Sequence, residues 1–230
     1  MRMQILAQIP LFTGLSEDEL DGIDKRMISL SWAEGDQLYT AGEPADHLYV
    51  LAAGQAKAFH SAPNGQDTIV DILAPGDLFG GLSVLGRPIY GETAEALVTT
   101  CALRIETSVF REVLLEHPQI ALRVIDDVTS LLGGARSAAS QHAGTTVAQR
   151  VATALLRLEA KFGQHGASGD GTLIQLPLTR ADLAGMTGST PESVSRVMSR
   201  LRKDGIIDSG RRWTSILDRD RLAAVAASDA

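Results

Sequence analysis

The chain has 230 residues, 44% of them apolar, with 21 Lys or Arg against 28 Asp or Glu for a formal charge of −7. That apolar content can bury a core, so disorder is not the default. One cysteine excludes a disulfide framework and, within one chain, a cysteine-ligated iron–sulfur cluster.

No apolar run reaches about 18 residues, and the opening MRMQILAQIPLF is too short and too lightly charged for a signal peptide. A cytoplasmic protein with no membrane partner is therefore expected. The negative charge argues against nucleic acid only until its distribution is considered. Residues 1–142 carry 9 basic and 19 acidic side chains, net −10, whereas residues 143–230 carry 12 and 9, net +3. Phosphate responds to the local patch rather than to the chain average.

In chain order, residues 1–30 have a weak helical pattern. Ser16 and Glu19 form a capping box ahead of Leu20, Ile23 and Met27. From Trp32 to Phe110 short apolar runs alternate with turn signals such as Gly35-Asp36, Pro63-Asn64-Gly65 and Pro75-Gly76-Asp77. This spacing predicts an antiparallel β-roll or barrel, with Asn64-Gly65 the strongest hairpin signal. Cys101 lies in an apolar run and is expected to be a buried small hydrophobe.

Residues 118–142 predict one long helix. Ala121, Val124, Val128, Leu131, Ala135, Ala138 and His142 follow 3-4 spacing, a heptad seam suited to a homodimer. A second row of Ile120, Ile125, Leu132 and Ala139 is expected to pack on the roll. Gly133-Gly134 interrupts the helix at a cost of about 1 kcal/mol per glycine.

Beyond the Ala143-Gly144-Thr145 hinge, Thr146 and Gln149 form another capping box. Gly163 to Gly171 is expected to be a surface loop, and Leu173–Leu176 a short strand. Thr179 offers an N-cap for a short helix ending at Thr187-Gly188. Ser189-Thr190 then caps a second helix with Pro191 at its first position. Val194, Val197, Met198 and Leu201 give that second helix a buried stripe. Glu192, Ser193, Ser195, Arg196, Ser199, Arg200 and Lys203 occupy the opposite face. Two short helices joined by a glycine-containing turn describe a helix-turn-helix, the second suited to a DNA major groove.

On these residues the chain resembles the CRP/FNR family of transcription regulators. Glu192, Ser195 and Arg196 match the Glu-x-x-Ser-Arg pattern of its FNR-like branch, and Gly210 to Leu217 resembles the family's β-hairpin wing. Gly42, Leu48 to Leu51, Gly54 and Gly76 to Gly80 are similar to the cyclic-nucleotide-binding roll. The resemblance implies an α+β fold: a β-roll sensor over 1–116, a dimerisation helix over 117–143, and a winged helix-turn-helix over 144–230. It implies double-stranded DNA and RNA polymerase as partners. A ligand-binding protein whose winged helix contacts another protein is the alternative.

The expected DNA-binding set is Thr179, Ser189, Thr190, Glu192, Ser193, Ser195, Arg196, Arg200 and Lys203. The FNR-like pattern implies a TTGA-like half-site. An ionised Glu192 only accepts hydrogen bonds and suits a cytosine amine, and Arg196 can fork onto guanine O6 and N7. The bland alternative is an exposed Glu192–Arg196 ion pair worth about 0.3–0.5 kcal/mol.

The family's phosphate cassette falls on the expected effector pocket of Gly80, Gly81, Leu82, Ser83, Arg87, Glu92 and Thr93. Gly81 and Glu92 stand where cyclic-nucleotide binders place a ribose-holding glutamate and a phosphate-holding arginine. A carboxylate repels a phosphate, so a cyclic nucleotide is disfavoured. Residues 215–222 and the recognition-helix pattern also resemble the DNR subgroup, which implies a haem cofactor and nitric oxide as signal. An unidentified small apolar ligand stands beside that reading. The five histidines have no zinc-ligand spacing, and no catalytic motif is present, so an enzyme is not expected.

Overall fold

The computed structural model describes residues 2–62, 65–81, 89–142, 144–165 and 171–228, without side chains at a few of these positions. Leu82, Ser83 and Arg87 of the expected effector pocket lie outside the described residues.

The chain begins with α1 (Arg2–Gln8) and α2 (Glu17–Asp24), and Ser16 caps α2 in the capping box the sequence predicts. Eight strands follow: β1 (Ile28–Trp32), β2 (Gln37–Tyr39), β3 (His47–Ala53), β4 (Ala56–Ser61), β5 (Asp67–Leu73), β6 (Leu78–Gly80), β7 (Thr93–Ala96) and β8 (Thr100–Glu106). They form two four-stranded sheets, ordered β1-β8-β3-β6 and β2-β7-β4-β5. In β3 the period-2 alternation serves two cores, because the strand is covered on both faces. Leu48 and Val50 join Phe12, Ile23, Leu103 and Phe110, while Tyr49 and Leu51 join Tyr39, Phe79 and Tyr90.

Two helices follow, α3 (Thr107–Glu116) and α4 (Pro118–His142). The faces of α4 differ from expectation. Ile120 packs on the roll as expected, but Val124 is buried in the same core and Val128 packs against it, so these seam residues face the roll as well. Leu122, Ile125 and Leu132 are instead 64%, 59% and 50% exposed. The expected seam through Val124 and Val128 is therefore corrected: the outward row is Leu122, Ile125, Thr129 and Leu132, spaced 3-4-3. The side chains of Leu131, Ala135, Ala138 and His142 lie outside those described.

The remainder comprises α5 (Val147–Phe162), β9 (Gly163–His165), β10 (Thr172–Ile174), α6 (Arg180–Thr187), α7 (Pro191–Lys203), β11 (Ile207–Ser209), β12 (Thr214–Ile216) and α8 (Arg219–Ala227). The strands form an antiparallel sheet ordered β11-β12-β10-β9. Gly163–His165, expected as the start of a loop, is thus a strand, because its backbone groups find partners on β10. Val151, Leu155, Leu183, Val194, Met198, Leu201 and Ile216 fill the core here.

By contacts the chain divides into two units, residues 1–60 with 71–136 and residues 61–70 with 137–230. Residues 118–136 of the long helix group with the roll, which covers Ile120 and Val124.

Candidate nucleic-acid interface and effector region

The Thr179 hydroxyl accepts from the Asp182 amide at 3.0 Å, and an Asp182 carboxylate oxygen accepts from the Thr179 amide at 2.8 Å, closing a capping box on α6. Gly188 ends that helix in the left-handed conformation, φ +55°, which costs glycine nothing. The Thr190 hydroxyl accepts from the Ser193 amide at 3.3 Å, and Pro191 opens α7 where a missing N–H is harmless. Val194, Met198 and Leu201 anchor α7 on its buried side, and Val197 is half-buried.

The opposite face stays open. Glu192, Arg196, Ser199, Arg200 and Lys203 are exposed, and Ser193 and Ser195 are half-exposed. The Glu192 carboxyl is held below the ordinary carboxylate range by its own backbone amide and then by the Thr190 hydroxyl, so it is an ionised acceptor. Arg196 Nε donates to the Glu192 main-chain carbonyl at 3.5 Å, and no Glu192–Arg196 ion pair occurs among the described residues. Arg202, by contrast, is 3.0 Å from the Asp208 carboxylate, which leaves Arg196, Arg200 and Lys203 as the cations of this helix outside any ion pair among the described residues.

Ser189 is placed differently from the rest of the expected set. It is buried, its hydroxyl accepts from Arg150 at 3.2 Å and donates to the Thr187 carbonyl at 3.2 Å, and its carbonyl accepts from Gln66 at 3.0 Å. These bonds turn it inward, so we correct its expected place in the DNA-binding set to a structural one.

Arg180 was absent from the expected set. As the first residue of α6 it lines a recess with Leu155, Leu176 and Trp213, and partial burial lowers its pKa. Among the described residues no carboxylate pairs with it. Its place one residue after an N-cap threonine was the signal available in the sequence.

In the roll, Gly81 is buried with its amide on the His47 carbonyl, and a Cβ built there would fall inside 3.0 Å of the Ala45 Cβ. A larger side chain at 81 would require Ala45 or the backbone beside it to shift. Glu92 accepts from the Tyr39 hydroxyl at 3.4 Å, and the Thr93 hydroxyl accepts from the Ala41 amide at 3.0 Å. Burial and then the Glu92 charge raise the Tyr39 pKa, which keeps it a neutral donor. Gly80 pairs with Leu48 across the β3–β6 ladder.

Around them Tyr39, Tyr49, Phe79 and Tyr90 stack at centroid separations of 4.1–6.2 Å. Those rings pack against one another beside Glu92. Of the histidines with described side chains, His117 is engaged with Glu19 at 3.3 Å, His60 is exposed, and His47 is half-buried at a strand end. Cys101 also departs from expectation. It is half-exposed on β8 opposite Ser31, its thiol 3.6 Å from that hydroxyl, because β8 is covered less completely there.

A roll of two antiparallel sheets, a long helix and a capped helix-turn-helix with a wing define a sensor-linked DNA-binding regulator. The comparisons agree. Residues 29–117 match the cyclic nucleotide-binding domain model, and residues 149–225 match the Crp-like helix-turn-helix domain model. The chain is 25% identical over 220 residues to the CRP-like cAMP-activated global transcriptional regulator of Mycobacterium tuberculosis, covering 96% of this chain and 97% of that protein. It is 27% identical to the transcriptional activator protein FnrA of Stutzerimonas stutzeri, covering 95% and 88%. Its fold matches FixK2 from Bradyrhizobium japonicum at 26% identity and a TM-score of 0.78, covering 89% and 99%. The chain belongs to the CRP/FNR family: it is a DNA-binding transcription regulator with a cyclic-nucleotide-binding-like sensory domain.

Proposed function

We propose that the protein is a homodimeric regulator that reads a TTGA-like palindrome in double-stranded DNA. The observation that carries this reading is the open face of α7, where an ionised acceptor, Glu192, and a guanidinium in no ion pair among the described residues, Arg196, lie one helical turn apart. Glu192 accepts from a cytosine amine and Arg196 forks onto the guanine of the same G·C pair, with Ser195 against a thymine. Thr179, Thr190, Ser193, Arg200 and Lys203 hold phosphates and set register, joined by Arg180. Two recognition helices one DNA turn apart require a symmetric dimer, and the outward row Leu122, Ile125 and Leu132 on α4 supplies its seam. The family resemblance adds RNA polymerase as a partner, and the cytoplasm is where both partners meet it.

The effector is not a cyclic nucleotide. The M. tuberculosis relative is named cAMP-activated, but here a carboxylate bonded to Tyr39 stands where a phosphate would need a cation, and Gly81 has no room for the glutamate. A haem that senses nitric oxide and a small apolar ligand are the two candidate effectors, the second drawn to the aromatic cluster of Tyr39, Tyr49, Phe79 and Tyr90.

Fluorescence anisotropy with a TTGA-palindrome duplex tests the DNA reading. Binding should be specific, and log affinity should fall linearly and steeply with log salt as phosphate counterions are released. Salt-insensitive binding without preference for the palindrome would refute it.

A further inference from the structure

The turn Thr187–Ser189 joins α6 to α7 and so sets the angle at which α7 is presented. Two side chains remote in sequence hold it. Arg150 Nε donates to the Thr187 carbonyl at 2.7 Å, Nη2 donates to the Ser189 hydroxyl at 3.2 Å, and Nη1 donates to the Thr145 carbonyl at 2.6 Å. One planar fork thereby ties the hinge before α5 to the turn before α7. The second is Gln66, whose Nε2 donates to the Ser189 carbonyl at 3.0 Å.

Gln66 belongs to residues 61–70, the tip between β4 and β5, which group by contacts with the C-terminal unit rather than with the rest of their own strands. Its docking there has an independent mark in α6. Gly185 sits inside that helix with an ordinary negative φ, so backbone conformation does not call for glycine. In a helix interior it costs about 1 kcal/mol relative to alanine. A Cβ at 185 would fall inside 3.0 Å of the Asp67 carbonyl oxygen, and 3.2 and 3.3 Å from Ile69 Cγ1 and N. Ile69 is buried there, 8% exposed, between exposed Thr68 and Val70. The missing side chain is what admits the backbone of the β4–β5 tip. With the tip docked, Glu192, Arg196, Arg200 and Lys203 remain exposed, so it supports the turn without covering the reading face.

We propose that Gln66 and Arg150 are positioning residues for DNA recognition: together they fix the Thr187–Ser189 turn and with it the presentation of α7. The inference rests on the DNA-binding reading. Release of the tip loosens the turn and weakens every contact α7 makes, without altering which bases it prefers.

The full-length protein and its Gln66→Ala, Gly185→Ala and Arg150→Lys variants test this by amide hydrogen exchange without DNA and by anisotropy with specific and base-substituted duplexes. Exchange should accelerate together in residues 65–70 and 187–193 of Gln66→Ala and Gly185→Ala. Specific affinity should fall about three- to tenfold, the scale of one lost hydrogen bond, with the same rank order of duplexes. Arg150→Lys keeps the charge but loses the fork and should accelerate exchange in 187–193 alone. Should Gly185→Ala fail to fold, the exposed Gln66→Ala decides the outcome. Unchanged exchange at 187–193 in Gln66→Ala, or faster exchange with affinity within about twofold of the parent, overturns the proposal. If the parent protein binds no duplex, the DNA reading fails, and the exchange data alone decide whether tip and turn are coupled.

Discussion

The corrected face of α4 makes a prediction that separates two interleaved apolar rows. Leu122 and Ile125 are 64% and 59% exposed in the single chain. Full burial of one such side chain contributes about 1.5–3 kcal/mol, and each residue occurs twice in a symmetric dimer. Scaled by the exposed fractions, the two positions supply about 4–7 kcal/mol of association free energy, an upper bound because some exposed area stays wet. Leu122→Asp with Ile125→Asp removes that contribution and places carboxylates against each other across the seam. The dimer dissociation constant should then rise by about three orders of magnitude or more, at about 1.4 kcal/mol per decade. Sedimentation velocity at micromolar protein should show monomers that keep the parent's circular dichroism spectrum, because neither side chain packs in the roll. Val128→Ala is the contrasting variant. Its side chain packs against the buried core of its own chain, so it should lower the melting temperature and leave the dimer intact. An intact dimer in the double aspartate variant, or monomers from Val128→Ala, would refute the assignment of faces.

Arg196→Ala should cost about 1–3 kcal/mol on the specific duplex and relax preference at the G·C pair, whereas Lys203→Ala should weaken all duplexes alike and reduce the salt slope by about 1. A uniform loss from Arg196→Ala would remove it from base readout. Titration calorimetry with cyclic AMP and cyclic GMP should show no saturable heat, because Glu92 and Gly81 offer a phosphate neither charge nor space; micromolar binding of either would contradict the pocket's chemistry.

Local chemistry made much of this protein legible in its sequence. The capping boxes at Ser16, Thr146 and Thr179, Pro191 at the start of α7 and the glycine stop at Gly188 each act within four residues. Such short-range bonds are readable without knowing the fold. The polar face of α7, with Glu192, Arg196, Arg200 and Lys203, follows from helical periodicity alone.

What the sequence left open depends on neighbours distant along the chain. Two apolar rows on α4 both fit a heptad, and only the packing of Ile120, Val124 and Val128 against the roll decides which faces outward. Ser189 looked like any polar cap residue until Arg150 and Gln66 were found holding it from inside, 39 and 123 positions away. Gly185 carries no sequence signal either, since the backbone that fills its missing side chain comes from the β4–β5 tip. Periodicity says which residues share a face; the tertiary structure decides what that face meets.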